Sequence, residues 1–448
     1  MADKIINVDK IKSRLHELKT SAEPEHAIYA QGVLTKSVGL TLEATGFQAA
    51  VGTKCFIHSN SIGTVEAIVT GFSESKFYLM PLTDLSGVEL GCKVSTLGQA
   101  VSIPVSPTLL GRVLDPSGRA LDGKAEINQT QLYPLWSKPM NPLARQRITT
   151  PIDMGIKAIN GLLTVGRGQR IGLFAGSGVG KSVLLGMIAR FAKADVIVVA
   201  LIGERGREVK EFIEENLGAQ GLSRAVIVAS PADYSPVLRF QGALAAMSIA
   251  EYFRDQGKHV LLLMDSVTRF SQAQREIALA MGEPPATKGY PPSVFKFLPQ
   301  LIERAGMGVA GQGSITGIFT VLAEGDDHND PVVDSARAIL DGHIVLSRRL
   351  ADQGHFPAID VNASISRVMT NIIDTTHKEA ALKFRKYYAS YEENVDLINI
   401  GAYAKGANED LDFAVENIKH FKEFLHQAVE QNINLPDAIN QLKGVVLR

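Results

Sequence analysis

The sequence predicts an α/β protein: a mainly parallel sheet with helices on both faces, preceded by a small β-rich module and followed by a helical end. Three observations carry this reading. From about Asp153 to Met369 strongly apolar runs alternate with helical stretches, the pattern of strands buried on both faces of a parallel sheet. Before them, short β-rich runs broken by glycine fill residues 25–95, as in a small barrel or sandwich. After Thr375 the texture is helical, over Glu379–Tyr391, Leu411–Glu430 and Asp437–Leu442.

Taken in order, Ile5, Val8, Ile11, Leu15 and Leu18 recur at three- and four-residue spacings, which predicts an amphipathic helix within a segment 1–24. Such a helix either packs on its own protein or docks on a partner or a membrane surface. The module 25–95 predicts strands at Ala27–Tyr29, Val33–Leu34, Lys54–His58, Gly63–Val69 and Phe77–Pro81. It has no arginine, and its four lysines face six acidic residues. That balance argues against the basic, aromatic groove of an oligonucleotide-binding barrel, so no nucleic-acid partner is expected. Prolines at 104, 107, 116, 134, 139 and 142 predict an extended connector wrapping over a larger domain. Strands are then expected at Arg170–Phe174, Val196–Ile202, Ala225–Ala229, Val260–Asp265 and Ile315–Leu322, with helices at Lys181–Ala192 and Leu238–Arg254 between them.

Composition bounds the alternatives. A length of 448 residues suggests about three domains at roughly 150 residues each. With 45% hydrophobic and 21% charged residues the chain reads as globular rather than disordered. A net charge of −1 gives no support for a polyanion binder. Two cysteines, Cys55 and Cys92, are too few for a disulfide framework; reduced, buried thiols and a cytoplasmic setting are expected. The charge-free stretch Ala305–Ala323 holds five glycines, too many for a lipid-spanning helix. Charges at Asp3, Lys4, Asp9, Lys10 and Lys12 do not suit a secretory signal. The ten histidines lack zinc-ligand spacing, so no zinc role is assigned.

The first chemical signal is Ala175-Gly176-Ser177-Gly178-Val179-Gly180-Lys181-Ser182, followed by Val183, between a strand and a helix. Glycines let backbone N–H groups converge on a phosphate, and the helix N-terminus adds its positive end. Lys181 suits the β/γ-phosphates of ATP, and the Ser182 hydroxyl suits a magnesium ion. The usual first glycine is here Ala175. A second strand ends in Asp265, which at the same sheet edge could hold the magnesium water shell. A third ends in Gly203-Glu204-Arg205-Gly206-Arg207-Glu208, putting Glu204 where a carboxylate could polarise an attacking water. Arg205 beside it could keep Glu204 ionised or touch the γ-phosphate.

Together, Ala175–Ser182, Gly203–Glu208 and Asp265–Phe270 resemble the hexameric RecA-type ATPases that include the rotary ATP synthase α and β subunits. Pro357–Arg367 (PAIDVNASISR) is similar to that family's signature. Ile277–Phe295, with Asp341–Arg348, resembles the flagellar and injectisome branch that serves type III protein export; Lys288 stands where arginine is expected. The resemblance implies a RecA-like P-loop ATPase core over 96–375, an N-terminal small β-barrel over 25–95 and a C-terminal helical domain over 376–448. It also implies a homohexamer hydrolysing Mg-ATP at subunit interfaces, to release chaperones and prepare substrates for export. Arg205 and Arg269 would sit near the γ-phosphate, and Arg367 would be an arginine finger reaching an adjacent subunit. Phe356 would pack on adenine, with Tyr403 as a second wall. Implied partners are regulator and stalk proteins, export chaperones and substrates. A peripheral contact with the membrane export gate, at the cytoplasmic face of the inner membrane, is implied as well. The flagellar system is expected over the injectisome. A rotary synthase subunit, an RNA-translocating hexamer and a non-catalytic partner subunit are the other readings. The export-type segment, the arginine-free barrel and the presence of Lys181, Glu204 and Arg367 argue against these in turn.

Overall fold

The computed structural model describes residues 30–446 except 84, 126, 128–130, 138 and 323–329. The helix expected over Ile5–Leu18 and the strand at Ala27–Tyr29 lie outside the described residues. The chain divides into two compact units, Met1–Val101 and Ser102–Arg448.

In the first unit, β1 (Ala30–Val38), β2 (Thr41–Thr45), β3 (Thr53–Ser59), β4 (Gly63–Ser73), β5 (Lys76–Pro81) and β6 (Lys93–Ala100) close into a barrel in the order β1-β2-β5-β4-β3-β6. Successive strand side chains point to opposite faces. Cys55 and Ile57 of β3 therefore enter the core with Leu34, Leu42, Val69, Leu79 and Val94. Closure removes the open sheet edges that would otherwise invite pairing with another chain. β6 carries the barrel to Ala100, past the 95/96 boundary expected from sequence. Both cysteines are free thiols. Burial pushes Cys55 up to about 11, and Cys92 is only half-buried.

The second unit is built on a nine-stranded sheet. Its continuous path is β17-β16-β10-β15-β13-β11-β12-β8, formed by β8 (Arg112–Leu114), β10 (Arg170–Ala175), β11 (Val196–Ile202), β12 (Ala225–Ser230), β13 (His259–Asp265), β15 (Ser314–Leu322), β16 (Gly342–Leu346) and β17 (Ile359–Ser366). β14 (Gly306–Met307) pairs antiparallel with β15. Along the path every pairing is parallel except β16 with β17. All seven residues of β11 are buried, which is why no apolar/polar alternation shows in its sequence. Ile197, Val199 and Leu201 belong to the core that includes α1 (Lys157–Leu162) and α2 (Lys181–Phe191). Ile202 points the other way, against Gly242 of α3 (Pro236–Asp255).

The proline-rich connector does wrap this unit, and it does more than connect. β8 pairs in parallel with β12 at the sheet edge, while β7 (Ser102–Val105) and β9 (Gln131–Pro134) form a separate ribbon. The Arg304 guanidinium fixes the connector by donating to the Leu135 carbonyl at 2.8 Å and to both oxygens of Glu251 at 3.0 and 2.7 Å.

α4 (Val267–Ala280) lies between β13 and β14, and the C-terminal helices are α5 (Thr375–Asn399), α6 (Glu409–Leu425) and α7 (Leu435–Val446). They share one apolar core with the sheet's α1 side: Phe384 packs on Phe421 and Phe424 at ring separations of 4.9 and 5.3 Å. α6 ends at Leu425 rather than running to Glu430 as its periodicity suggests. The reason is tertiary: buried Gln427 donates its backbone N–H to the Phe356 carbonyl at 3.0 Å and its side chain to Gly155 at 2.8 Å. Among the described residues no helix is long and apolar enough to cross a membrane.

Candidate active site

A parallel sheet exposes its strand ends, and the loops that leave them, along one edge. β10 leads directly into the phosphate loop, in which Gly178 and Gly180 take left-handed backbone angles (φ 75° and 85°), a conformation that costs glycine nothing. α2 then starts at Lys181, so its N-terminus points into the pocket. The pocket, about 490 Å³, is walled by the loop from Ala175 to Ser182 with Val183, by Gly203, Glu204, Arg205 and Glu208, and by Arg269, Leu322 and Arg348. Val179 is the exception in the loop: it is buried in the core.

The ion-pair pattern inside is asymmetric. Lys181 Nζ donates to Asp265 Oδ1 at 2.5 Å and to Glu204 Oε1 at 3.4 Å. Asp265 is almost fully buried and also accepts from the Thr320 hydroxyl at 2.6 Å. Burial pulls the Lys181 ammonium down, but Asp265 and Glu204 more than offset this and hold it above its usual range. Glu204 has the weaker share of that lysine. Burial, then the charge of Asp265, push its carboxyl up to about 7, and a side-chain hydrogen bond to Glu208 adds to the shift. Glu208 accordingly falls below the ordinary carboxylate range. Lys181 is thus shared between two carboxylates, with Glu208 close to the second of them.

Arg205 does not keep Glu204 ionised. It is 81% exposed and pairs with Glu208 at 3.6 Å, while Glu204 stays raised. Arg269 does join the pocket, because Gly203 lets it pack close: a Cβ at Gly203 would lie 2.8 Å from the Arg269 Cβ. Ser182 lines the pocket beside Lys181. Its hydroxyl and the Asp265 carboxylate are hard oxygen donors, the type that suits magnesium.

Phe356 reaches the other side of the loop: a Cβ on Gly180 would touch its ring at 3.5 Å. Its ring is 41% exposed, and Val183 is 39% exposed. These bare apolar groups beside the phosphate loop suit a flat heterocycle.

Two expected residues are not brought to the pocket. Tyr403 lies before α6, its hydroxyl donating to Asp412 Oδ1 at 2.7 Å. Phe356 instead meets the chain just after α6. A 17-residue helix separates those points by about 25 Å, so Tyr403 is not a second wall of the same site. Arg367 is exposed and follows β17. That strand runs antiparallel to β16, pairing Ser366 with Gly342 and Ile359 with Leu346. Its eight residues carry Arg367 about 25 Å to the opposite edge of the sheet.

Two further pocket residues carry no assigned role in the sequence reading. Arg348 donates to the Ser177 carbonyl at 3.0 Å; its signal is visible only once β16 is known to lie beside β10. Glu208, four residues after Glu204 at the start of a helical turn, had a spacing signal available.

The nucleotide-binding domain of the ATP synthase alpha/beta family matches residues 155–366, and the T3SS EscN ATPase C-terminal domain matches residues 373–444. The flagellum-specific ATP synthase of Pseudomonas aeruginosa is 55% identical over 419 residues, covering 93% of each chain. The chain belongs to the ATP synthase α/β family, in its type III export branch. The Salmonella typhimurium flagellum-specific ATP synthase is 54% identical over 426 residues, again with 93% of each chain covered. The assembled ATPase EscN from the type III secretion system of enteropathogenic E. coli superposes with a TM-score of 0.88 at 45% identity, covering 93% of this chain and 100% of that one. This member of the family is therefore a nucleotide-binding ATPase with the barrel, core and helical end that the family implies.

Proposed function

We propose that this ATPase drives a flagellum-type protein-export apparatus, hydrolysing Mg-ATP at the interfaces of a homohexamer to release chaperones and prepare substrates for export. One observation carries the interfacial part: Lys181 and Glu204 line one pocket, with buried Asp265 held against Lys181, while Arg367 lies at the far edge of the same sheet. A finger at that edge serves only a neighbour's pocket. EscN, solved as an assembled ATPase and also in complex with its central stalk EscO, supports an oligomer with a stalk partner. Identities of 55% and 54% to flagellar relatives, against 45% to EscN, favour the flagellar system. The match over 373–444 supports reading the helical end as a domain of its own. Export chaperones, a regulator and peripheral contact with a membrane gate at the cytoplasmic face of the inner membrane complete the proposal.

In this mechanism the phosphate-loop N–H groups from Gly176 to Ser182 cradle the phosphates, and Lys181 leaves Asp265 to meet the β/γ oxygens. Ser182 and Asp265 would hold magnesium, which when bound supplies positive charge against the phosphate oxygens. Glu204, once ionised, orients and polarises the attacking water. Arg205 and Arg269 face the γ-phosphate, and Arg367 of the neighbour adds charge where the transition state spreads it. Phe356 and Val183 flank the adenine.

Specific ATPase activity measured against protein concentration, with magnesium, tests the reading. A steep cooperative rise is expected; flat, near-zero activity at every concentration would mean that the finger comes from another protein. Deletion should abolish motility and spare effector secretion, and the reverse would refute the flagellar assignment.

A further inference from the structure

We propose that Gln169 is a positioning residue for Arg367, and that strand β10 thereby joins the phosphate loop a subunit uses to the finger it lends its neighbour. The inference rests on Arg367 acting in trans. β10 opens the phosphate loop at its C-terminal end, and Gln169 immediately precedes its first residue, Arg170.

Gln169 is completely buried, and its amide is fully engaged. Nε2 donates to the Asp341 carbonyl at 3.1 Å and to Ser366 Oγ at 3.0 Å, while Oε1 accepts from the Gly166 N–H at 2.8 Å. Ser366 in turn donates to the Thr164 carbonyl at 2.9 Å. The Asp341 carbonyl that receives Gln169 also accepts the backbone N–H of Arg367 at 3.0 Å. Asp341 is itself fixed by Arg170, whose Nε and Nη2 donate to its two oxygens at 3.0 Å each. One buried amide therefore grips both the residue before Arg367 and the carbonyl that anchors Arg367, while the Arg367 side chain stands exposed. A fully satisfied buried network of this kind holds a single geometry. An exposed arginine on such a base can be delivered to a neighbour with little positional freedom.

Gln169→Met keeps the volume and removes every side-chain hydrogen bond of the amide. A misplacement of about 1 Å at a catalytic group can cost about 100-fold in rate. The variant should lower kcat about 10- to 100-fold and leave KM for ATP within about twofold, since the lost interaction acts on the transition state. Mixed oligomers locate the defect. Lys181→Ala mixed with Arg367→Ala is the control, and no recovery there would overturn the trans reading and this inference with it. With that control recovering, Gln169→Met mixed with Lys181→Ala should also recover, because a Lys181→Ala subunit lends a well-placed finger to an intact phosphate loop. Gln169→Met mixed with Arg367→Ala should not. The reverse pattern would put the defect in the variant's own phosphate loop, and recovery in neither mixture would mean general damage; both overturn the positioning role. If Gln169→Met does not fold, Ser366→Ala removes the shared hydroxyl from the other side and must give the same pattern of rescue.

Discussion

Glu204→Gln should make the nucleotide-free protein more stable near pH 8 and change it little near pH 5. Burial and Asp265 raise the Glu204 carboxyl from 4.5 to about 7, so folding favours its protonated form. The sign follows: the contribution is fully present below 4.5, fades as pH rises, and is gone above about 7, where the folded state must carry an unfavourable buried charge. A difference of about 2.5 pKa units at ~1.36 kcal/mol each makes that cost about 3 kcal/mol at most. The Glu204 side chain is only 15% exposed, so solvent screens little of it. Glutamine resembles the protonated acid: it has no charge and still offers an N–H to Glu208. Melting curves of wild type and variant across this range, without nucleotide or magnesium, measure the effect. In a chain of this size about 3 kcal/mol corresponds to a shift of several degrees. The expected result is convergence near pH 5 and a more stable variant near pH 8. An offset that does not change with pH, or a variant less stable near pH 8, would refute the carboxylate crowding described for this pocket.

The same Glu204→Gln variant should keep ATP binding and lose hydrolysis, read by fluorescent-nucleotide titration beside phosphate release; undiminished turnover would remove Glu204 from the catalytic role. Phe356→Ala should raise KM for ATP about fivefold with little change in kcat, as expected for losing about 1 kcal/mol of stacking, and steady-state kinetics decide it. Arg304→Met strands Glu251, whose side chain is 4% exposed, and should cost about 3–5 kcal/mol in urea unfolding. Adding Glu251→Met should restore most of that loss.

What the sequence makes legible here is what is local. The phosphate loop, the strands ending in Ile202 and Asp265 and the helix beginning at Lys181 are written in contiguous residues, because a fully buried strand must be apolar throughout and the loop must be rich in glycine. In the barrel, β2 and β6 escape that reading. β2 has only Leu42 and Ala44 facing the core, and half of β6 (Lys93, Ser95, Thr96 and Gln99) is polar. Tyr403 shows the opposite failure. An aromatic near the chain's end can be matched to a family role, but only the length of α6 reveals that it lies at the wrong end of that helix. Arg348 was hidden for a related reason: its place beside Ser177 follows from the order of strands, which no local pattern encodes.

Strand order also bears on the proposed division of the site between subunits. Had β17 run parallel to β16, its C-terminal residue would emerge at the phosphate-loop edge and Arg367 could serve its own pocket. The antiparallel pairing of Ser366 with Gly342 instead sends it to the opposite edge, while Phe356, before the same strand, stays beside the loop. One eight-residue strand thus has an exposed aromatic, Phe356, before one end and an exposed arginine, Arg367, after the other. The isolated pocket is meanwhile occupied by its own charges, with Lys181 held by Asp265 and Glu204 mostly protonated below pH 7. Both features support the proposed reading, in which a single subunit has the parts to hold a nucleotide and ligand and neighbour together complete the charge arrangement that hydrolyses it.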